Sequence, residues 1–362
     1  MSSALARVLH VVPALFSAND GVVGGAERYA FELARHMADE VPTRLVTFGD
    51  EAREDRVGNL HYRVIGNSWY VRGERQNPFS TALIGELRAA DVVHCHQQHI
   101  VASSVAALFC RMSGRRAFVT DEGGGGFDVS AFISTDRWFT AHLHLSNFAR
   151  ARFGHADKPW AQVILGGVDT VKFAPDDSIR RDVRALFVGR ILPHKGVADL
   201  IEAVEPPLGL EIIGRAYDRS FVAALRTRAE GKEVTFRHDV SDSELVEAYR
   251  RALCVVLPSV YRAADGGETP VPELLGQTLL EGMACGAPAI CTAVASMTEI
   301  VEDGVNGFVV PPNNPQALRE RIIFLREHPE TARAMGLAAR QRVLEKFTWP
   351  RVVKRCLEIY AA

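Results

Sequence analysis

The chain has 362 residues, 47% apolar and 24% charged, and its 42 basic and 44 acidic residues leave a formal charge of −2. That length exceeds what one core ordinarily supports, so two domains are expected, and the composition is that of a globular enzyme, not a disordered chain. Nucleic-acid binders carry a basic excess on some face, and none shows here, so no nucleic-acid partner is expected.

Six cysteines are scattered without a CxxC pair, mostly in apolar surroundings. This argues against a zinc or disulfide framework and for a reducing compartment. No apolar run reaches the ~20 residues that a transmembrane helix needs. The opening stretch, MSSALARVLHVVPALFSAND, reads as a first strand entering a loop, because His10 and Pro13 break its apolar run. A cytoplasmic protein is expected, with contact at the inner face of the membrane kept open.

In chain order, RVLHVV predicts a strand, AERYAFELARHMAD an amphipathic helix and TRLVTF a second strand. DVVHCH, the helical VASSVAALFCRM and AFVTDE continue the alternation. The stretch ISTDRWFTAHLHLSNFARARF reads as helical, either half-buried or leaning on a membrane. The rhythm restarts at ALFVGR, followed by KGVADLIEAV, LEIIG, SFVAALRTRAE, VTFRH, SELVEAYRRA, CVVLPS, QTLLEGMACG and PAICTA. Strands alternating with helices predict an α/β chain with two doubly wound parallel sheets covered on both faces. The expected domains are 1–166 and 167–346, linked within GGVDTVKFAPDDSIRRDV, and 347–362 form a helix that docks on another part of the chain.

Ligands of parallel sheets bind at the carboxyl ends of strands, which directs attention to the residues there. Gly24 and Gly25 stand just before a helix with Glu27 in its first turn. They either let an anion approach bare amides or merely ease a turn. The pattern G-x-x-G-G, about ten residues after its strand, is a poor match to the dinucleotide fingerprint of a nicotinamide enzyme. Alternation puts His94 and His96 on one face of their strand, with His96 nearer the carboxyl edge. A metal site with His99 is conceivable, as is a structural histidine, and position makes His96 a candidate active-site group. Asp121 and Glu122 lead into four glycines, Gly123 to Gly126. The acids either bind sugar hydroxyls or keep a loop soluble, and the glycines give mobility or close approach to a ligand. Arg190 and Lys195 flank Pro193 directly after a strand, a pair suited to phosphate.

The stretch PELLGQTLLEGMACG brackets a mostly apolar segment with Glu273 and Glu281. If Gln277, Thr278 and Leu279 open a helix after Gly276, their amides point at an anion, and each acid accepts hydrogen bonds from hydroxyls. A sugar joined to a nucleoside through phosphates has that arrangement of groups.

GGAERY, DVVHCH, GGVDTVKFAP, FVGRILPHKG, LPS at 257–259, the E-x7-E of Glu273 and Glu281, EDGVNGFVVPP and FTW together resemble the retaining glycosyltransferases of family 4, along nearly the whole length. The resemblance implies a GT-B architecture of two Rossmann-like domains facing across a cleft, with the last helix crossing back to the first domain. It implies a nucleotide-diphosphate sugar as donor substrate, no metal and no other cofactor. UDP is the working choice of nucleotide, and the acceptor, a glycan, lipid-linked or small molecule, is not readable. Arg190 and Lys195 would bind the diphosphate, Glu281 the ribose and Glu273 the donor sugar. Gly24 and Gly25 would close over the phosphates, and His96 would line the reaction centre. Three positions depart from the family pattern: Leu274-Leu275-Gly276 replaces a common G-F-G, His238 replaces a glycine, and Asp121-Glu122 replaces a histidine. A nucleotide-sugar-binding protein that no longer transfers is the competing reading.

Overall fold

The computed structural model describes residues 6–16, 24–123 and 126–362, which divide into two units. The first ends at Gly167 and takes in Trp349–Ala362, and the second is Val168–Thr348.

The first unit contains β1 (Val8–Val11), β2 (Thr43–Phe48), β3 (Arg53–Val57), β4 (Leu60–Ile65), the short pair β5 (Trp69–Tyr70) and β6 (Pro78–Phe79), β7 (Val92–His96), β8 (Arg116–Thr120), β9 (Ala141–His144) and β10 (Ala161–Val163). Eight of these form one sheet in the order β10-β9-β8-β7-β1-β2-β4-β3, parallel except for β3 against β4. The two faces of the sheet differ because side chains alternate along each strand. Leu9, Val11, Val93, Cys95 and Val119 pack with Leu87, Ala102 and Ala106 in one apolar cluster. His10 and His94 are register partners on neighbouring strands and belong to the opposite set.

The closing helix Trp349–Ala361 covers part of the first unit, as expected for a returning helix. Its ring of Trp349 meets Tyr29 at 5.3 Å and stacks on His36 at 5.6 Å, while Tyr360 meets Phe118 at 4.7 Å. Gly167 makes this docking possible, since a Cβ there would lie 2.4 Å from the Trp349 ring. Pro350 is tolerated because it occupies the first turn, where its missing N–H is not needed.

The stretch ISTDRWFTAHLHLSNFARARF departs from its reading as one helix. It contains a 3₁₀ turn at Asp136–Trp138, then β9, then a short helix Asn147–Arg152 capped by Ser146, whose side chain accepts from Ala149 N. The alternation of AHLH, fully buried, won over the apparent helical spacing. Strands β3, β4, β10 and the last strand of the second unit also escaped the sequence reading, because they are short or lie in polar runs.

The second unit has β11 (Arg184–Val188), β12 (Gly209–Ile213), β13 (Val234–Arg237), β14 (Cys254–Leu257), β15 (Ala289–Thr292) and β16 (Gly307–Val310). All are parallel, in the order β13-β12-β11-β14-β15-β16. The chain runs outward from β11 to one edge, returns, and runs outward from β14 to the other. The order therefore reverses between β11 and β14, where loops diverge and leave a crevice.

Candidate functional site

In the second unit the crevice is bordered by the loops after β11 and β14. After β11 come Arg190, whose side chain is exposed, a 3₁₀ turn Pro193–Lys195, and Gly196 with φ 68°. That glycine is required twice over: its left-handed backbone disfavours a side chain, and a Cβ would lie 1.9 Å from the carbonyl of Pro258. The two loops thus touch. Buried Lys195 reaches across to Glu273, donating to Oε1, while Ser259 Oγ donates to the same oxygen at 2.7 Å. Ser259 is held in turn, its carbonyl accepting from Thr292 Oγ1 at 2.5 Å. The carboxylate and ammonium are each only about a tenth exposed, and each buried charge has the other as its partner.

Gly276 (φ 77°) turns the chain into the helix Gln277–Ala284. A Cβ there would lie 2.7 Å from Met297 Cε. Glu281, buried one turn in, accepts from Tyr249 OH at 3.0 Å. Of the three amides expected to face an anion, that of Leu279 already donates to Gly276 O at 3.0 Å, a tight first turn that commits it within the helix. Gln277 and Thr278 are half-buried in the same turn. His238, which stands where a glycine was expected, ties strand ends together: its Nδ1 meets Gly214 O at 2.8 Å and its Nε2 meets Arg226 at 3.2 Å.

In the first unit, β1 and β7 flank the corresponding reversal of strand order, and the candidate residues gather at their carboxyl ends. Gly24 is the extended N-cap residue of the helix Gly25–Met37. A Cβ on Gly24 would lie 2.7 Å from Glu27 Oε2, whereas Gly25 has open space around its Cα. Glu27 therefore folds back over the positive end of the helix, where its charge is favoured.

His96 is 3% exposed at the end of β7. Its Nδ1 faces Glu122 Oε1 at 3.1 Å and its Nε2 faces His10 Nδ1 at 2.9 Å. The trio brought together is His10, His94 and His96, each offering a ring nitrogen within 4.8 Å of the others. His99 is not part of it and pairs with Ser130 Oγ at 2.8 Å. All six nitrogens of the trio already have partners: His10 Nε2 meets Met37 Sδ at 3.4 Å, while His94 meets Thr120 Oγ1 at 2.8 Å and Tyr360 OH at 2.6 Å. His10 and His96 thus belong to one hydrogen-bonded chain that ends on Glu122, and His94 is bonded separately. Desolvation pushes His10 down to about 3 and His94 and His96 well below the usual imidazole range.

Asp121 and Glu122 are not solubilising loop residues. Both side chains are 6% exposed. Asp121 Oδ1 accepts from Gly123 N at 2.9 Å, which turns the chain out of β8. Burial raises the pKa of both acids, that of Glu122 well above the carboxylate range, with Glu27 and Asp121 adding to the rise. Of the four glycines, Gly124 and Gly125 lie outside the described residues. Gly126 allows close approach to the protein itself: a Cβ would lie 2.1 Å from His99 O.

Sequence reasoning missed Tyr249, Ser259 as a partner of Glu273, and His10. Only His10 left a signal, a polar residue interrupting an otherwise apolar strand.

Residues 23–190 match the family described as Glycosyltransferase Family 4, and residues 173–342 match Glycosyl transferases group 1. The α-maltose-1-phosphate synthase of Mycolicibacterium smegmatis is 26% identical over 77% of this chain and 80% of its own length. A GDP-mannose-dependent phosphatidylinositol monomannoside mannosyltransferase of the same organism is 29% identical over 57% of this chain and 58% of its own. Among solved structures, Anabaena HepE in complex with UDP and glucose superposes with a TM-score of 0.75 at 18% identity, covering 98% of this chain and 99% of that one. Sucrose-phosphate synthase from Thermosynechococcus elongatus gives 0.73 at 19%, covering 98% of each. The fold of the two Rossmann-like sheets is thus that of the GT-B glycosyltransferases.

Proposed function

Because the chain belongs to the group 1, family 4 glycosyltransferases, we propose that it moves a sugar, with retention and without a metal, from a nucleotide-diphosphate sugar to a hydroxyl acceptor. The observation that carries this reading is the crevice between β11 and β14. There a cation, two carboxylates and a helix N-terminus converge on one strand-order reversal.

In this reading Val168–Thr348 holds the donor and the first unit takes the acceptor. Arg190 and Lys195 counter the charge that develops on the leaving diphosphate, the role that a divalent cation fills elsewhere. Glu281 accepts from the ribose and Glu273 from the donor sugar, while Gln277 and Thr278 in the first turn of the helix meet phosphate and sugar, the Leu279 amide being spent on Gly276 O. Gly24 and Gly25, at the N-terminus of the helix Gly25–Met37, are assigned to phosphate, His96 to the reacting group, and Asp121, Glu122 and Gly123 to the acceptor side. As the bond from the anomeric carbon to the phosphate oxygen breaks, the acceptor oxygen bonds to that carbon on the same face. Its proton passes to the departing phosphate, so no separate carboxylate base is required. The relatives name both GDP-mannose and, through HepE, UDP with glucose, and UDP-sugars are the first donors to test.

Thermal-shift screening of UDP-, GDP- and ADP-sugars identifies the donor, since a ligand that binds only the folded state raises its stability. The donor found is then tested for transfer in EDTA, with the product anomer read by NMR. An inverted product, or complete dependence of transfer on a divalent ion, refutes the mechanism. Binding without sugar-nucleotide consumption in the presence of crude acceptor refutes transfer.

A further inference from the structure

The buried file of histidines in the first unit has proton positions that can be read from its partners. At one end His10 Nε2 faces Met37 Sδ at 3.4 Å. A thioether has no hydrogen to give and can only accept. The hydrogen of that contact is therefore on His10 Nε2, and in a neutral ring Nδ1 is then bare. His96 Nε2, 2.9 Å from that bare nitrogen, must donate to it, which leaves His96 Nδ1 bare in turn. The remaining link, 3.1 Å from His96 Nδ1 to Glu122 Oε1, needs a hydrogen, and only the carboxyl can supply it. The opposite polarity, with an ionised Glu122 accepting from His96, would end in a bare His10 nitrogen pressed lone pair against lone pair on the sulfur.

We infer that His10, anchored on Met37, is a positioning residue for the transfer site that sets the tautomer of His96 and holds Glu122 as a neutral carboxylic acid. The functional part of this inference rests on the proposed donor. Its consequence is electrostatic. Glu27 lies over the helix N-terminus that is proposed to meet the phosphates, and its charge bears on Glu122, as does that of Asp121. With Glu122 neutral, a dianionic donor meets one negative charge fewer.

The surroundings agree. Glu27 and Tyr29 face Glu122 from the helix Gly25–Met37, Asp121 precedes it, and His10, His94 and His96 lie on β1 and β7. Tyr360 and Cys356 come from the closing helix. Among these described groups none is a lysine or arginine, and the charges that bear on Glu122, those of Glu27 and Asp121, favour its neutral form. A charged ring in the file is opposed by burial, which pushes His10 down to about 3.

The test is NMR of the ligand-free, full-length protein labelled at histidine nitrogens and glutamate carboxyls, with signals assigned through single substitutions. Expected near neutral pH are neutral Nε2–H tautomers for His10 and His96 and a protonated carboxyl for Glu122. A proton on His96 Nδ1, a charged ring, or a carboxylate shift for Glu122 overturns the inference. Met37→Leu keeps volume and removes the accepting sulfur, a swap cores tolerate. In that variant His96 should move toward Nδ1–H and KM for the donor should rise several-fold on the alkaline side, with kcat within about twofold. Unchanged tautomers in Met37→Leu overturn the anchoring role. The NMR read-outs need no substrate, so failure of the proposed function would appear separately, as nucleotide sugars that do not bind.

Discussion

Lys195 and Glu273, 78 residues apart in the chain, form a buried ion pair between the loops that leave β11 and β14. The same carboxylate also accepts from Ser259, so removing the lysine leaves it with a neutral donor and no counter-charge.

Lys195→Ala is therefore expected to lose about 10²-fold or more in turnover, as for the loss of one oxyanion donor. It should also lose about 3 kcal/mol of stability from the orphaned buried charge. Arg190→Ala should lose turnover to a similar degree with an unchanged melting temperature, because Arg190 is exposed. Parallel kinetics and calorimetry on the two variants check this, and wild-type turnover in either one contradicts the assignment.

Tyr249→Phe removes the phenol that donates to Glu281 and leaves the ring in place. A hydrogen bond to a charged acceptor is worth about 1.5–3 kcal/mol, so a stability loss near that range is expected. If Glu281 holds the donor's ribose, KM for the donor rises several-fold and kcat stays close to wild type. A fall in kcat at constant KM would place Glu281 in the chemical step instead.

Gly196→Ala should be among the most destructive conservative changes in the chain. Its φ of 68° costs about 1–3 kcal/mol for a residue with a side chain. The clash with Pro258 O adds to this by forcing the two crevice loops apart. Urea titration is expected to show a midpoint well below that of Gly304→Ala, which shares a positive φ of 74° but has nothing within 4 Å of its Cβ position.

The pH dependence of stability follows from the buried histidines. Burial lowers the pKa of His10, His94, His96, His142 and His144 in the folded state. Below their unfolded value of about 6.5 the unfolded chain takes up protons that the folded chain refuses, so each removes up to about 1.4 kcal/mol per pH unit as pH falls. Asp121 and Glu122 have raised values and act in the opposite sense. The stability they confer is complete below their unfolded values near 4 and is lost as pH rises through the folded ones. His155 and His194 are lowered too and Asp199 is raised, so seven histidines outweigh three carboxyls, and the urea midpoint should fall between pH 7 and pH 5. A midpoint that is flat or rises over that interval contradicts the buried neutral histidines.

The alternation of strand and helix, the restart near residue 184, the returning tail and the identity of the family were all legible in the linear chain. They depend on short-range periodicity and on the order of motifs such as FVGRILPHKG and the paired Glu273 and Glu281. The spacing also placed His94 and His96 on one face, as the period of a strand requires. What the sequence by itself determined, then, is which residues stand at the carboxyl ends of strands.

Only the tertiary structure decided what those residues touch. Strand order puts β1 beside β7, and so brings His10 to His96 across 86 positions, while the docked closing helix brings Tyr360 to His94 across 266. It likewise sets β14 beside β11, pairing Lys195 with Glu273 and Ser259. Asp121 and Glu122 read as loop acids because burial depends on what the rest of the chain lays over them. Periodicity reports a side chain's face and its level along a strand, whereas proton positions and charge states depend on neighbours that pairing alone supplies.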